Sequence, residues 1–194
     1  AGVWRYDPIL CSTLTPPDWH LRNFARLAGA LAGVVDEVVI SFAHIYRKTR
    51  RNLARAAQGA GFRWWDPPED DKRALVAGLA QLAADRGIRL TLCAQPPLVV
   101  SGAGEARCID AQRLSDVAGR PVEAPERGNR PGCRCAASRD IGHYDTCPHG
   151  CVYCYAVQHR SLAKRRYAAH DPVGPFLFPP GAEAACRSAE INGR

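Results

Sequence analysis

The chain has 194 residues, of which 46% are hydrophobic, so it is long enough for one domain with a buried core. Its nine cysteines are an odd number, and we find no signal-peptide pattern and no apolar stretch of membrane-spanning length. These features argue against a secreted disulfide scaffold and against a membrane protein. They predict a cytoplasmic protein whose clustered cysteines bind a metal or take part in catalysis.

The formal net charge is +7, and all 26 basic residues are Arg except Lys48, Lys72 and Lys164. Abundant Arg with scarce Lys is the composition that a GC-rich genome produces, so the charge alone does not indicate nucleic-acid binding. Two basic runs stand out, RKTRRNLAR at 47–55 and HRSLAKRR at 159–166. We interpret each run as the solvated face of a helix, with a phosphate-binding track as the alternative.

The first hundred residues alternate between strand patterns and helix patterns. The apolar runs VVISF and IRLTLC are typical of buried strands, and a β-α-β-α-β order implies parallel pairing. The predicted elements are a strand at 3–9, a helix from Thr15 to about 31, a strand at 38–42, a basic helix at 46–58, a helix capped by Asp70 or Asp71 and closed by Gly87, and a strand at 88–93.

After residue 95 the sequence becomes rich in Pro and Gly and loses this alternation. We therefore expect residues 1–100 to form the strands and helices of an α/β domain. Residues 101–132 are predicted to be a linker with a short helix at 111–117. Residues 133–178 are predicted to be a cysteine-rich segment with a helix at 155–169, followed by a disordered tail at 179–194.

The most specific motif lies in the cysteine-rich segment, where Cys147, Cys151 and Cys154 have the spacing C-x3-C-x2-C. Three thiolates on one short loop can hold three irons of a 4Fe-4S cluster and leave the fourth iron without a protein ligand. The spacing, with Tyr153 before the last cysteine, resembles the cluster motif of radical S-adenosylmethionine enzymes. The resemblance implies that S-adenosylmethionine binds the open iron beside Tyr153, and that a flavodoxin- or ferredoxin-type protein supplies the electron that releases a 5′-deoxyadenosyl radical.

A zinc site is the alternative for the same three cysteines. Zinc prefers four protein ligands, which commonly come as two closely spaced Cys or His pairs. Such a set could be completed by Cys133, Cys135, His143 and His149. The spacing and the aromatic residue at position 153 favour the iron–sulfur cluster.

A second metal site is predicted from Cys93, Cys108, Cys133 and Cys135, which come from three separated segments. Four thiolates could close a second cluster or a structural zinc site, with sulfurs within about 4 to 7 Å of one another. Buried free thiols are the alternative. The two remaining cysteines, at 11 and 186, fit no spacing pattern.

Six segments of the chain carry a further resemblance. They are WRYDPIL at 4–10, DWHLRNFARLA at 18–28, VVISFAHIYRKTRRNL at 38–53, LTLCAQP at 90–96, RCID at 107–110 and PGCRCAASRDIGHYDTCPHGCVYCYA at 131–156. Together they resemble a bacterial family catalogued as domain of unknown function 1848. Members of that family are longer at the N-terminus, which implies that this chain is a fragment. The resemblance also implies an α/β fold that is a partial (β/α) barrel, with these strands as its later half and a loop-rich cysteine segment at the C-terminus.

In such barrels the chemistry takes place at the C-terminal ends of the strands. Arg5 and Asp7 are placed after the first strand, His44 after the second, and Cys93 and Gln95 after the third. We therefore expect Arg5, Asp7 and His44 to be catalytic residues. The alternatives are an aspartate that starts a turn before a proline, and a histidine that is held in packing by hydrogen bonds.

The leading hypothesis is an enzyme that performs radical chemistry with S-adenosylmethionine on an unknown substrate. The alternative is a non-catalytic iron–sulfur or zinc module that associates with nucleic acid through its basic helices. The stretch HGCVYCYA at 149–156 also resembles the cluster loop of spore photoproduct lyase relatives, which act on DNA. This analogy gives modest support to a nucleic-acid partner.

Overall fold

The structure is a computed structural model that describes residues 2–178, so the predicted tail at 179–194 lies outside the described residues. The strands are β1 (Gly2–Ile9), β2 (Cys11–Ser12), β3 (Val35–Phe42), β4 (Trp64–Trp65), β5 (Arg89–Leu92) and β6 (Ala103–Glu105). The α-helices are α1 (Pro17–Leu31), α2 (Arg47–Ala60), α3 (Glu69–Ala84), α4 (Ala111–Ala118) and α5 (Arg160–Ala168). None of the helices in the described part of the chain is both long and apolar enough to cross a bilayer.

The described residues fall into two compact units. The first consists of residues 2–44 and 57–138 and holds these six strands with α1, α3 and α4. The second consists of residues 45–56 and 139–178 and holds most of α2 together with α5. The segment between β3 and α3 therefore contributes to both units.

The first unit is built on a four-stranded parallel sheet with the strand order β1-β3-β5-β6. Its register places Arg5 opposite Val39, and Val39 opposite Thr91. The predicted α/β class with parallel pairing is confirmed. Within residues 2–178 the sheet is open, with β1 and β6 at its edges, and we see no closed barrel.

The two faces of this sheet differ in character because side chains alternate along each strand. One face packs against α1 and α3 and forms the main hydrophobic core. Its buried side chains include Phe24, Val38, Ile40, Val76, Leu79, Leu90 and Leu92. Each contributes roughly 1.5–3 kcal/mol of transfer free energy to folding, so this layer fixes the sheet as a rigid support.

The opposite face of the sheet carries polar and reactive side chains. Glu37 and Ser41 of β3 point to this face, and Arg5 and Asp7 follow the same alternation on β1. Cys93, which directly follows β5, packs in a small separate cluster with Val39 and Ala106. The chemistry of the first unit is therefore concentrated on the face that α1 and α3 do not cover.

Two helices begin later than their sequence patterns indicate. Helix α1 begins at Pro17 because the Thr15 hydroxyl donates to the Leu10 carbonyl at 2.8 Å and does not cap the helix. Helix α5 begins at Arg160, five residues after the predicted start, because the preceding segment forms the base of a loop. The short strands β2, β4 and β6 were not predicted.

Polar contacts in the second unit tie α2 and α5 to the residues around the cysteine-rich segment. Lys48 on α2 donates from Nζ to the Val157 carbonyl just before α5. The buried Arg166 donates to the Tyr144 carbonyl at 2.7 Å, and its guanidinium lies 4.8 Å from the centre of the Phe178 ring. These contacts tie both helices to the cysteine-rich segment between them.

Buried His20 predicts an acid-sensitive first unit. Its Nε2 donates to the Leu10 carbonyl at 3.2 Å, so Nδ1 of the neutral ring accepts from the Tyr6 hydroxyl at 3.0 Å. Burial lowers the pKa of His20 despite the contact with Leu10. Below about pH 6.5 the unfolded chain takes up a proton that the folded chain resists. Stability is therefore fully present above that pH and falls below it, by at most ~1.4 kcal/mol per pH unit for one proton.

We expect His20→Gln to flatten this decline, measured as the thermal unfolding midpoint at pH 7 and pH 5. The variant has no imidazole to protonate, so its midpoint should fall less than that of the parent chain over the same interval. Equal declines in both proteins would show that His20 does not set the acid sensitivity.

Candidate metal centre

Two cysteine sulfurs meet at the carboxyl end of the parallel sheet. Cys93 follows β5 and Cys108 follows β6, and their Sγ atoms lie 3.5 Å apart. The Cys108 thiol donates a hydrogen bond to the Cys93 sulfur. Parallel strands end at the same edge, so the topology brings these two residues together across fifteen positions of sequence.

Two arginines donate to this pair of sulfurs. Arg5 Nη1 lies 2.9 Å from the Cys108 Sγ, and Arg130 Nη2 lies 3.2 Å from the Cys93 Sγ. The bond from Cys108 lowers the pKa of Cys93 to about 5, burial opposes this, and the charges of Arg130 and Arg5 add to it. The same bond, together with burial, raises the pKa of Cys108. At neutral pH the pair is therefore a Cys93 thiolate beside a protonated Cys108.

Arg5 is held in place by a carboxylate. Its Nε and Nη2 atoms donate to the two Asp7 oxygens at 3.1 and 2.5 Å, and the Ser41 hydroxyl donates to Asp7 at 3.3 Å. The bidentate geometry fixes the guanidinium plane, so its third nitrogen is aimed at Cys108. Both predicted catalytic residues of β1 thus lie within the strand, and they act together on a sulfur.

Cys133 and Cys135 form a second thiol pair in the same unit. The Cys135 sulfur accepts from the Ile109 backbone N–H at 3.4 Å, next to Cys108 in sequence. Burial opposes ionisation of Cys133, but the backbone N–H groups of Cys135 and Asn129 outweigh it and lower the pKa of Cys133. Burial raises the pKa of Cys135. The charge of Cys93 acts to raise the pKa of Cys133, so the two thiol pairs are close enough to interact electrostatically.

Helix α4 fixes the segment that carries Cys108. The Asp110 side chain caps the helix by accepting from the N–H groups of Gln112 and Arg113. Arg113 then pairs with Asp36 at 3.0 Å and with the buried Glu37 at 2.8 Å. Because Asp36 and Glu37 belong to β3, the helix is anchored to the sheet five residues after Cys108.

His44 lies on a neighbouring cleft of about 460 Å³. The cleft is also lined by Glu69, Lys72, Gln95 and Gly132. Gln95 is a structural residue here, because its amide exchanges two hydrogen bonds with the Phe42 backbone, at 2.8 and 3.1 Å. The segments that carry Cys93 and Cys133 both line this cleft, which therefore lies next to the thiols.

The three cysteines of the C-x3-C-x2-C motif lie on a loop of the second unit. Asp145 closes the base of this loop: its N–H donates to the Ala156 carbonyl at 3.0 Å, and its carboxylate accepts from the N–H groups of Gln158 and His159. Within the loop the Cys154 N–H donates to the Cys151 carbonyl at 3.0 Å. Cys147 and Cys151 are exposed and Cys154 is partly buried, so the thiols are accessible from solvent.

A glycine is required inside this loop. Gly150 has a φ of 70°, and a Cβ at this position would lie 2.5 Å from the Arg160 Nε. The loop therefore holds Gly150, the residue before Cys151, in a backbone conformation that side-chain-bearing residues rarely adopt. Tyr153 is 38% exposed on the same loop, next to Cys154.

The donor chemistry of both cysteine sets fits metal binding, although the side chains are not already arranged as a cage. Among residues 2–178, no group of three or more His, Cys, Asp or Glu side chains is placed to hold a single metal ion. A 4Fe-4S cluster does not require this, because each thiolate binds a different iron. The 3.5 Å between Cys93 and Cys108 is shorter than the predicted range of about 4 to 7 Å for these sulfurs.

That short distance fits two ligands of one ion. Two thiolates bound to zinc at about 2.3 Å in a tetrahedron lie about 3.8 Å apart.

The sequence reasoning missed Arg130, which lies in a Pro- and Gly-rich stretch with no periodic pattern to mark it. Among the described residues one further cysteine, Cys11, is buried in the main core, and burial raises its pKa to about 11, as expected of a packing thiol.

Comparison with known proteins identifies the family. The model of the family described as "Domain of unknown function (DUF1848)" matches residues 2–156, a range from β1 to the end of the cysteine loop. No curated protein and no solved structure matches the chain. The family match covers most of the sequence and includes all seven cysteines considered above. The chain therefore belongs to the DUF1848 family.

Proposed function

We propose that this protein is an iron–sulfur enzyme of the radical S-adenosylmethionine type with two separate metal sites. In this proposal Cys147, Cys151 and Cys154 hold a 4Fe-4S cluster with one open iron. Cys93, Cys108, Cys133 and Cys135 hold a mononuclear zinc ion in a closed site. The observation that carries the proposal is the convergence of thiols from separated segments, with Arg5 and Arg130 donating to the sulfurs.

The closed loop of the second unit supports the assignment of the cluster. Asp145 joins the two ends of the loop and Gly150 shapes its middle, so three thiols are carried on a short, preorganised segment. A reduced cluster would supply one electron to S-adenosylmethionine, which binds the open iron through its amino and carboxylate groups. Tyr153 would lie against the adenine of this cofactor, and a flavodoxin- or ferredoxin-type protein would deliver the electron.

The polar face of the sheet supports the assignment of the fold. We infer that the open sheet is the later half of a (β/α) barrel, with the polar face directed to the barrel interior. Substrate would occupy the cleft lined by His44 and Lys72, with His44 as the group that moves a proton. Arg5, oriented by its bidentate contact with Asp7, would hold positive charge beside the thiols.

The second candidate function is a non-catalytic metal module. A site with four cysteine ligands has no open coordination position, so by itself it contributes stability and no chemistry. Both readings predict a metal at Cys93 and Cys108. Only the enzyme forms 5′-deoxyadenosine from S-adenosylmethionine when the anaerobically reconstituted chain is reduced with dithionite, which separates the two readings.

Gly128 gives a test of the four-cysteine site that leaves every ligand in place. A Cβ on Gly128 would overlap the Cys133 carbonyl oxygen and lie 3.0 Å from the Cys133 Cβ, so the backbone that carries this ligand must shift. We expect Gly128→Ala to weaken zinc binding about tenfold or more, measured by competition with a chromophoric chelator. Gly59→Ala is the matched control, because its Cβ would meet nothing within 4 Å. If Gly128→Ala binds zinc as tightly as the parent chain, Cys133 is not a ligand.

A further inference from the structure

The net charge of the protein is confined to one of its two units. Residues 45–56 and 139–178 contain ten basic and three acidic residues, a net charge of +7. Residues 2–44 and 57–138 contain fourteen basic and fourteen acidic residues, a net charge of zero. A genomic preference for Arg would act on both units alike. The unbalanced charge of the second unit therefore calls for a separate explanation.

Helix α2 presents its cations on one face. Arg47, Arg51 and Arg55 are exposed and follow one another at intervals of four residues, so their side chains form a stripe along the helix. Thr49 and Leu53 are buried on the opposite side. The residues at 45–56 include no acidic side chain that could neutralise this stripe.

Helix α5 repeats the arrangement and adds an aromatic ring. Arg160, Lys164 and Tyr167 are exposed at positions i, i+4 and i+7 of the helix. Ala163 and Arg166 are buried on the other side. Tyr155 lies at the base of the cysteine loop and is 67% exposed, and Tyr167 is 61% exposed. Between positions 146 and 170 the sequence contains no acidic residue.

We propose that the second unit binds single-stranded nucleic acid, with the arginines of α2 and the cations of α5 on the phosphates and the exposed tyrosines on the bases. A positive surface that carries exposed aromatic rings is the arrangement that recognises single strands, because phosphates pair with the cations while each base can stack. The proposed contacts use none of the cysteines, so the proposal goes beyond the enzymatic function.

An anionic membrane surface would match the charge of the two basic helices, but neither helix has an apolar face that could insert into it. An interfacial helix needs an apolar face to insert below the headgroups. The side of α2 opposite its arginines carries Thr49 and Leu53, and the corresponding side of α5 carries Ala163 and Arg166. All four side chains are buried in the protein. Within the described residues, α2 and α5 therefore present charge and rings to a partner, and neither presents a continuous apolar face.

The first measurement is the affinity of the chain for a fluorescent 20-nucleotide single strand of mixed sequence, at several salt concentrations. Each phosphate contact contributes about −0.7 to the slope of log K against log salt. Replacing Arg47, Arg51 and Arg55 together by Gln should therefore make the slope less steep by about 2 and weaken binding about tenfold or more at low salt. The matched control replaces Arg63, Arg86 and Arg120 of the first unit by Gln, which removes the same charge from exposed positions. We expect that control to bind within about twofold of the parent chain.

A second variant separates nucleic acid from other polyanions. Tyr155→Ala combined with Tyr167→Ala should weaken binding of the oligonucleotide about fivefold or more, because stacked bases lose their partner rings. Binding of heparin, which has no bases, should be unchanged. The proposal would be overturned if the first-unit control lost as much affinity for the oligonucleotide as the α2 variant does. It would also be overturned if the tyrosine variant lost as much affinity for heparin as for the oligonucleotide, or if the parent chain did not bind the oligonucleotide at low salt. So would binding to phosphatidylserine vesicles in the absence of any binding to the oligonucleotide.

Discussion

Replacing Cys151 by Ala is expected to abolish the formation of 5′-deoxyadenosine from S-adenosylmethionine. In the proposed site each of the three loop thiolates holds a different iron, so the loss of one thiolate leaves the cluster without a stable attachment. We expect the iron and sulfide content of the reconstituted protein to fall with the activity. Cys147→Ala and Cys154→Ala should behave in the same way, measured by chromatography of the dithionite-reduced reaction mixture.

Zinc content provides the control for this experiment, because the four-cysteine site lies in the other unit. Cys151→Ala should keep its zinc, which shows that the chain has folded. Cluster assembly with full activity in any of the three variants would contradict the assignment of that cysteine. A parent chain that assembles the cluster but forms no 5′-deoxyadenosine would leave only the non-catalytic reading.

Replacing Cys93 and Cys108 together by Ser is expected to remove the zinc and to lower the thermal stability of the first unit. The two sulfurs lie 3.5 Å apart and accept hydrogen bonds from two arginines, so the double variant loses two ligands and the partners of two cations. Removal of a bound ion also removes the stability that its binding contributes. We expect a loss of about one zinc per chain and an unfolding midpoint several degrees lower, measured by metal analysis and calorimetry.

Cys11→Ala is the matched control for the double variant. Cys11 is also a buried free cysteine, but it lies in the main core and not in the small cluster that contains Cys93. Its replacement should leave the zinc content unchanged, with only the cost of a small cavity. Zinc loss in Cys11→Ala, or zinc retention in the double variant, would show that the ion is bound elsewhere. A Cys93–Cys108 disulfide in metal-free protein purified without oxygen would also contradict the site.

The sequence was sufficient to predict the parts of the site that follow from strand order. The apolar runs around Val38 and Leu90 indicated parallel strands, and the ends of parallel strands lie at one edge. That reasoning brought Arg5, Asp7 and Cys93 to the same place. The contacts show that Arg5 binds Asp7 directly and is linked to Cys93 through Cys108.

Other parts could not be predicted because they depend on long-range contacts without a local pattern. Arg130 lies in a stretch of Pro, Gly and Arg, where nothing distinguishes the arginine that reaches Cys93 from its neighbours. The start of α5 depends on Asp145, whose carboxylate accepts from two N–H groups thirteen and fourteen residues away. The partition of charge between the two units depends on the tertiary structure, because residues 45–56 belong to the same unit as residues 139–178.

The metal and sulfide content of the chain, purified without oxygen after expression with added iron, tests the central claim most directly. Two cysteine sets predict about four iron atoms, about four sulfides and about one zinc ion per chain. The cluster should be lost from the Cys151→Ala variant and the zinc from the Cys93→Ser, Cys108→Ser variant. A chain that contains neither iron nor zinc, with its cysteines freely reactive toward a thiol reagent, would contradict the account.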